Sequence, residues 1–233
     1  MGKALIMGAS GKIGFHISKA LLLRGHECIL QCRHHCTKLS ALSDLGNATV
    51  VKHDFLEEGV DSFLEKVASV TRSLSYAVLI QPKFGQFKGD VVSDFSKVIE
   101  LNLKVPSLLM IKLPDLMVEG GTILMLMDLT GLEGANIYRS LKPSFAQVIA
   151  SAGLKTAVET APQYLKGRVK VLGVALGWMD LPTLREEDWE AIRESVPLGR
   201  PGKVEELLNL VMYLLEKAPN YLDGSVIRFS GGL

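Results

Sequence analysis

The sequence predicts an α/β architecture, a doubly wound parallel sheet of about seven strands with helices on both faces, in a single domain spanning residues 1–233. Three observations predict it. Short apolar runs of strand length alternate with segments of helical spacing along the whole chain. The first of these runs, Lys3 to Met7, stops at a glycine-rich turn before helical spacing begins. No Pro- or Ser-rich linker divides the 233 residues, 48% of which are hydrophobic, so one large core can form.

The elements follow in order. After the opening strand and turn, Phe15 to Leu23 reads as a helix that Gly25 breaks, and Glu27 to Cys32 as a second strand. Val50 to Phe55 is a third short strand with an acid near its end, followed by a helix from Val60 to Val70. Tyr76 to Gln81 is nearly continuous in apolar residues, as a parallel strand buried on two sides should be. Asp94 to Met110 has helical spacing and apolar residues over most of its surface, with Pro106 a point of bending. Gly120-Gly121 introduces a fifth strand, Thr122 to Met127, and Asp128-Leu129-Thr130-Gly131 lies at its carboxyl end, the edge where open parallel sheets carry their chemistry. Ser144 to Leu165 is a helix, Arg168 to Gly177 a sixth strand, Trp178 to Pro201 a polar loop carrying Glu186, Glu187 and Asp188, Glu205 to Lys217 a helix, and Ser225 to Phe229 a last strand.

The totals exclude several classes. A formal net charge of +1 without blocks of like charge argues against nucleic acid as a partner. No apolar run approaches the eighteen or so residues that would span a bilayer, so the expectation is a cytoplasmic protein with no membrane partner. Cys28, Cys32 and Cys36 lie within nine residues beside His34 and His35, but their spacing is not that of a metal site. They are expected as buried or idle thiols of a reducing compartment, with no metal bound.

Gly8, Gly11 and Gly14 stand three apart between the first strand and its helix. The first allows a tight turn, the second a close approach of backbone to a pyrophosphate, and the third close packing of helix on sheet. The helix start then offers N–H groups and a dipole to the phosphates. Gly8, Ser10, Gly11, Lys12, Ile13 and Gly14 are therefore candidate cofactor residues. At the end of the second strand, where a carboxylate would accept an adenosine ribose hydroxyl, the sequence instead has Arg33 and His34, with Lys38 beyond. Those cations point to a 2′-phosphate, hence to NADP(H), with Lys12 as a second charge.

These features resemble the short-chain dehydrogenase/reductase family, a Rossmann-type fold, over essentially the whole chain. Met7 to Gly14 is similar to its nucleotide loop, with a glycine spacing nearer its extended and atypical branches. Asp54 matches the acid that meets adenine, with Phe55 beside it. Asn102, in Glu100-Leu101-Asn102-Leu103, matches the asparagine that holds a water of the proton relay. Gln81 and Pro82, followed by Lys83, replace the Asn-Asn-Ala-Gly loop, and Gly177 stands in the family's Pro-Gly. Pro197 to Glu206 and Leu222 to Gly232 resemble its C-terminal third.

The resemblance implies hydride transfer between NADP(H) and a small carbonyl or hydroxyl substrate, with a Ser orienting the carbonyl, a Tyr donating the proton and a Lys lowering the Tyr pKa. Counting back from Gly131 puts Asp128 at the Ser position. Tyr138-Arg139-Ser140-Leu141-Lys142 offers a Tyr and a Lys four apart, although Lys142 precedes Pro143, which disfavours helix there. Aligning Ala150 to Leu154 with the family's Ser-Lys-Ala-Gly-Leu instead puts Gln147 and Ser151 at the two positions, and a third register gives Ser151 and Lys155. Tyr138, Lys142, Asp128 and Asn102 are the candidate catalytic residues. Three readings stay open: an NADP(H)-dependent oxidoreductase; a catalytically degenerate member that binds NADP(H) as a nucleotide-responsive binding or regulatory protein; and a flavin or quinone reductase built on the atypical glycine loop, which needs no Tyr. Pairing through the apolar helices 94–110 and 144–165 predicts a homodimer or homotetramer.

Overall fold

The computed structural model describes residues 1–82, 91–133, 144–182, 184 and 186–233. Seven strands form one sheet among them: β1 Lys3–Ile6, β2 Glu27–Cys32, β3 Ala48–Lys52, β4 Leu74–Ile80, β5 Met117–Asp128, β6 Val169–Leu176 and β7 Val226–Phe229. Their order is β3-β2-β1-β4-β5-β6-β7, and every neighbouring pair is parallel. The chain reverses its direction of winding between β1 and β4, and a crevice at the carboxyl ends of those strands is where such sheets bind ligands.

The central strands are buried on both faces, with successive side chains entering opposite cores. Leu5 faces one core with Ile29, Leu79 and Met125, while Ala4 and Ile6 face the other with Leu30, Val78 and Leu124. Helices α1 Lys12–Leu23 and α8 Val204–Glu216 cover the second face through Ile17, Leu21, Leu207 and Val211. The first face is covered by α2 Phe55–Val70, α4 Val105–Lys112 and α6 Phe145–Leu165, through Phe63, Val67, Leu109, Leu154 and Val158. The remaining helices are α3 Val91–Ile99, the short α5 Thr130–Glu133 and α7 Glu186–Ser195.

Several elements differ from the sequence expectation, among them β3, which spans Ala48–Lys52 rather than Val50 to Phe55 because Phe55 opens α2. The helix expected over 94–110 is three pieces, α3, a π-helical turn Glu100–Lys104 and α4, because Pro106 has no N–H to donate and is tolerated only in the first turn of a new helical segment. Helix α2 starts five residues early at Phe55, capped by the Asp54 carboxylate on the Leu56 N–H at 3.0 Å, and Gly59 kinks it at φ +73°. Strand β5 begins at Met117 and runs through Gly120 and Gly121. The polar segment 178–201 contains α7, whose Ile192 packs with Trp178 and Val196 beneath a charged face. No helix among the described residues is long and apolar enough to cross a membrane.

Candidate functional site

Strand β1 delivers the chain to Gly8, whose φ of +76° opens the turn. The Gly11 N–H closes that turn on the Gly8 carbonyl at 3.0 Å. A Cβ at Gly14 would stand 2.3 Å from the same carbonyl oxygen, so only glycine lets α1 pass this close to the turn. No side chain caps α1. Its first-turn N–H groups therefore remain donors for an anion.

The turn is fixed from β2 by a residue the sequence reading passed over. Buried Gln31 accepts the Gly8 N–H through Oε1 at 2.8 Å and donates through Nε2 to the His53 carbonyl at 2.9 Å. Its signal was available: a polar residue in the middle of an otherwise apolar buried strand needs partners for all its amide groups. His53, also passed over, is buried and donates through Nε2 to the carbonyl of the Gly59 kink at 2.8 Å. Burial holds its pKa below the usual histidine value, against Glu58 and Asp54, which favour the charged form, and with Lys66, which opposes it.

A cavity of about 680 Å³ opens from the Gly8–Gly14 turn. Ser10, Gly11, Lys12, Ile13 and Gly14 line it on one side, and Arg33, His34, Asp54 and Phe55 at the β2 and β3 ends. Gln81, Pro82, Leu101 and Val105 line it on the β4 side. Arg33 Nε lies 3.8 Å from Asp54 Oδ2. Gly177 is not among the lining residues; it packs β6 on β7, its N–H donating to the Phe229 carbonyl at 2.9 Å.

The cysteines depart from the expectation of separate thiols. Cys32 and Cys36 are joined in a disulfide with Cα atoms 5.6 Å apart, and only Cys28 is free. The turn between them is possible because His35 takes the left-handed conformation, φ +55°, which brings Cys36 back over the end of β2. Among the described residues no cluster of His, Cys, Asp and Glu could hold a metal ion.

At the carboxyl edge of β4 and β5 a second set of side chains meets. Gln81 Oε1 accepts the Asp128 N–H at 2.8 Å, and the hydroxyl of buried Ser151 lies 3.0 Å from Gln81 Nε2 and 3.2 Å from Oε1. Asp128 Oδ1 accepts the Thr130 N–H at 2.9 Å. Asn102, fully buried on the π-helical turn, donates through Nδ2 to Gln147 Oε1 at 2.6 Å. Gly131 makes room for α6, since a Cβ there would lie 2.4 Å from the Ser151 carbonyl oxygen.

Comparison with known proteins decides the family. The family model described as enoyl-(acyl carrier protein) reductase matches residues 8–233. The chain belongs to the short-chain dehydrogenase/reductase family. It is 26% identical to the uncharacterized oxidoreductase YmfI of Bacillus subtilis, over 98% of this chain and 97% of that one. It is 27% identical to the 3-oxoacyl-[acyl-carrier-protein] reductase FabG of Rickettsia felis, over 99% and 95%. Its fold superposes on the Pseudomonas aeruginosa RhlG/NADP active-site complex with a TM-score of 0.85, 23% identity and coverage of 99% and 95%.

As a short-chain dehydrogenase/reductase the chain comes from a family of oxidoreductases that use a nicotinamide cofactor. The Gly14 contact, the uncapped start of α1 and the cavity running from Arg33 to Gln81 fit such a dinucleotide. Of the three registers for the family's Tyr and Lys, the structure turns Gln147 and Ser151 of α6 toward Asn102 and Gln81. Lys155, one turn further, pairs instead with Glu159 at 2.8 Å. Tyr138 and Lys142, with Lys83, lie outside the described residues.

Proposed function

We propose that this chain binds NADP(H) and works as a nucleotide-responsive binding protein rather than as a carbonyl reductase. The first-turn N–H groups of α1, with Gly8 and Ser10, would hold the pyrophosphate. Arg33, with His34 and Lys12, would hold the 2′-phosphate, and Asp54 and Phe55 would flank the adenine. Gln81 and Pro82 would border the nicotinamide end. The bound dinucleotide supplies a hydride donor or acceptor. Carbonyl reduction also needs a proton at the substrate oxygen, and a Tyr near pKa 10 relays one at neutral pH only beside a cation.

The observation that carries the reading is the Asn102 to Gln147 hydrogen bond with its neighbour Ser151 to Gln81. On the register that puts Gln147 and Ser151 at the family's Tyr and Lys positions, an amide and a hydroxyl stand in place of phenol and ammonium, bonded to Asn102 and Gln81. None of the four exchanges a proton near neutral pH.

A second reading, the oxidoreductase acting on a small carbonyl or hydroxyl compound, is favoured by one observation. The described residues on either side of the Tyr138 and Lys142 stretch, Leu132 and Ser144, are held close to the site. Leu132 N–H donates to the Leu129 carbonyl at 2.9 Å beside Asp128, and Ser144 caps α6 through the Gln147 N–H at 3.1 Å. Titration with NADPH followed by a broad carbonyl turnover screen separates the two. Saturable binding without turnover, unchanged in Tyr138→Phe, supports the binding protein. Turnover that Tyr138→Phe abolishes overturns it in favour of the oxidoreductase.

A further inference from the structure

We propose that Cys32 and Cys36 form a reversible thiol–disulfide site that sets how well the cavity holds a 2′-phosphate. The inference rests on the nucleotide reading above and adds a regulatory chemistry to it. The bond encloses three residues, Arg33, His34 and His35, and all three are exposed and line the cavity. The guanidinium at the β2 end of the cavity is thus carried inside a covalent ring, with Lys12 outside it.

The two sides of that ring are held differently. Cys32 is buried, and its carbonyl accepts the His53 N–H at 2.9 Å, so this side is built into the sheet. Cys36 is partly exposed and opens a 3₁₀ helix, Cys36–Leu45, packed against α1 and β3. Between them His35 keeps φ +55°, a conformation uncommon outside glycine. Apart from the ring, Arg33 is placed by an ion pair with Asp54 at 3.8 Å on a side chain 46% exposed, a contact worth little in water. Opening the ring frees the backbone at His35 and leaves the guanidinium to be ordered by the ligand. Closing it assembles the cationic loop beforehand, which favours a ligand with a phosphate at that place.

The chemistry balances with a small disulfide such as glutathione disulfide as oxidant. The Cys36 thiolate attacks one of its sulfurs and releases one glutathione, leaving a mixed disulfide on Cys36. The Cys32 thiolate then attacks the Cys36 sulfur and releases the second. Two electrons pass from the cysteine pair to the oxidant, and the two thiol protons end on two molecules of glutathione. Excess glutathione reverses both steps. Cys28 stays out of the exchange, buried on β2 with its thiol pushed up to about 12 by that burial. A disulfide of this kind suits a reducing compartment, where such bonds are transient and sensing.

The test is calorimetric titration of the full chain with NADPH and with NADH, after equilibration in oxidising and in reducing glutathione buffers, with free thiols counted by labelling under denaturing conditions. The oxidised chain is expected to show two fewer thiols and to bind NADPH about tenfold more tightly than the reduced chain, with NADH equal in both states. Cys36→Ser should behave as the reduced chain in either buffer, and the untouched chain under reductant gives the same comparison without a substitution. A full thiol count at every glutathione ratio overturns the inference, and so does a formed disulfide with equal NADPH affinity in both states. Absence of dinucleotide binding in both states overturns the nucleotide reading itself, and this inference with it.

Discussion

Asn102 on a π-helical turn and Gln147 in the first turn of α6 share a hydrogen bond of 2.6 Å, buried and uncharged at both ends. The bond locks α6 against the segment after β4 while supplying no group that titrates. Asn102 Oδ1 meets no partner among the described residues. Asn102→Ala should therefore leave Gln147 unpaired and cost about 1–3 kcal/mol of stability. In urea unfolding this is a lowered midpoint at unchanged slope, and NADPH affinity should stay within about twofold. A large loss of NADPH binding would place Asn102 in the cofactor site instead.

Gly14→Ala attacks the cradle itself. The new Cβ meets the Gly8 carbonyl, so α1 must move away from the turn, at an overpacking cost of about 1–3 kcal/mol. The displaced N–H groups should then lose both NADPH and NADH. Retention of either at full affinity would show that the dinucleotide lies elsewhere.

Arg33→Ala separates the two dinucleotides. Removing the guanidinium should weaken NADPH by about ten- to hundredfold, the range of a hydrogen bond to a charged group, and leave NADH nearly unchanged. Its pair with Asp54 is exposed, so the midpoint of thermal unfolding should hold. Equal losses for both cofactors would remove the 2′-phosphate role.

The site was legible in the sequence to the extent that its geometry is local. The glycine spacing, Arg33 and Asp54 each follow from a residue's place at the end of a strand, and all of them border one cavity. What escaped depends on contacts distant in sequence: Gln31 reaches Gly8 across 23 residues, and Gln81 reaches Ser151 across 70. Three registers for the Tyr and Lys positions fitted the sequence, because only packing against Asn102 and Gly131 fixes which face of α6 turns inward. Helix α7 was hidden for a different reason, its Glu186, Glu187, Asp188 and Glu190 masking the one apolar turn at Ile192. The disulfide needed the backward turn at His35, which composition does not announce.

His53 gives a pH dependence. Its pKa in the folded chain lies below that of the unfolded chain, near 6.5, so the unfolded state binds more protons on acidification. Stability is full above about pH 6.5 and falls as pH drops through that value toward the lower folded pKa. Denaturant midpoints at pH 7.5 and 5.5 should differ, and the difference should shrink in His53→Gln. A difference unchanged by the substitution would assign the effect to other groups.

Exposed apolar residues remain on two helices of one face. Leu108 and Ile111 lie on α4, and Phe145 and Ile149 on α6, with Phe145 73% exposed. Light scattering should give at least a dimer, and Phe145→Glu should shift it toward monomer. A monomeric mass for the unaltered chain would contradict the pairing.

The most direct measurement is calorimetry of NADPH added to the unaltered chain at low ionic strength. One saturable site per chain is the expected result. Absence of any heat or saturation, with NADPH and with NADH alike, would contradict the cradle at Gly8 to Gly14 on which the account depends.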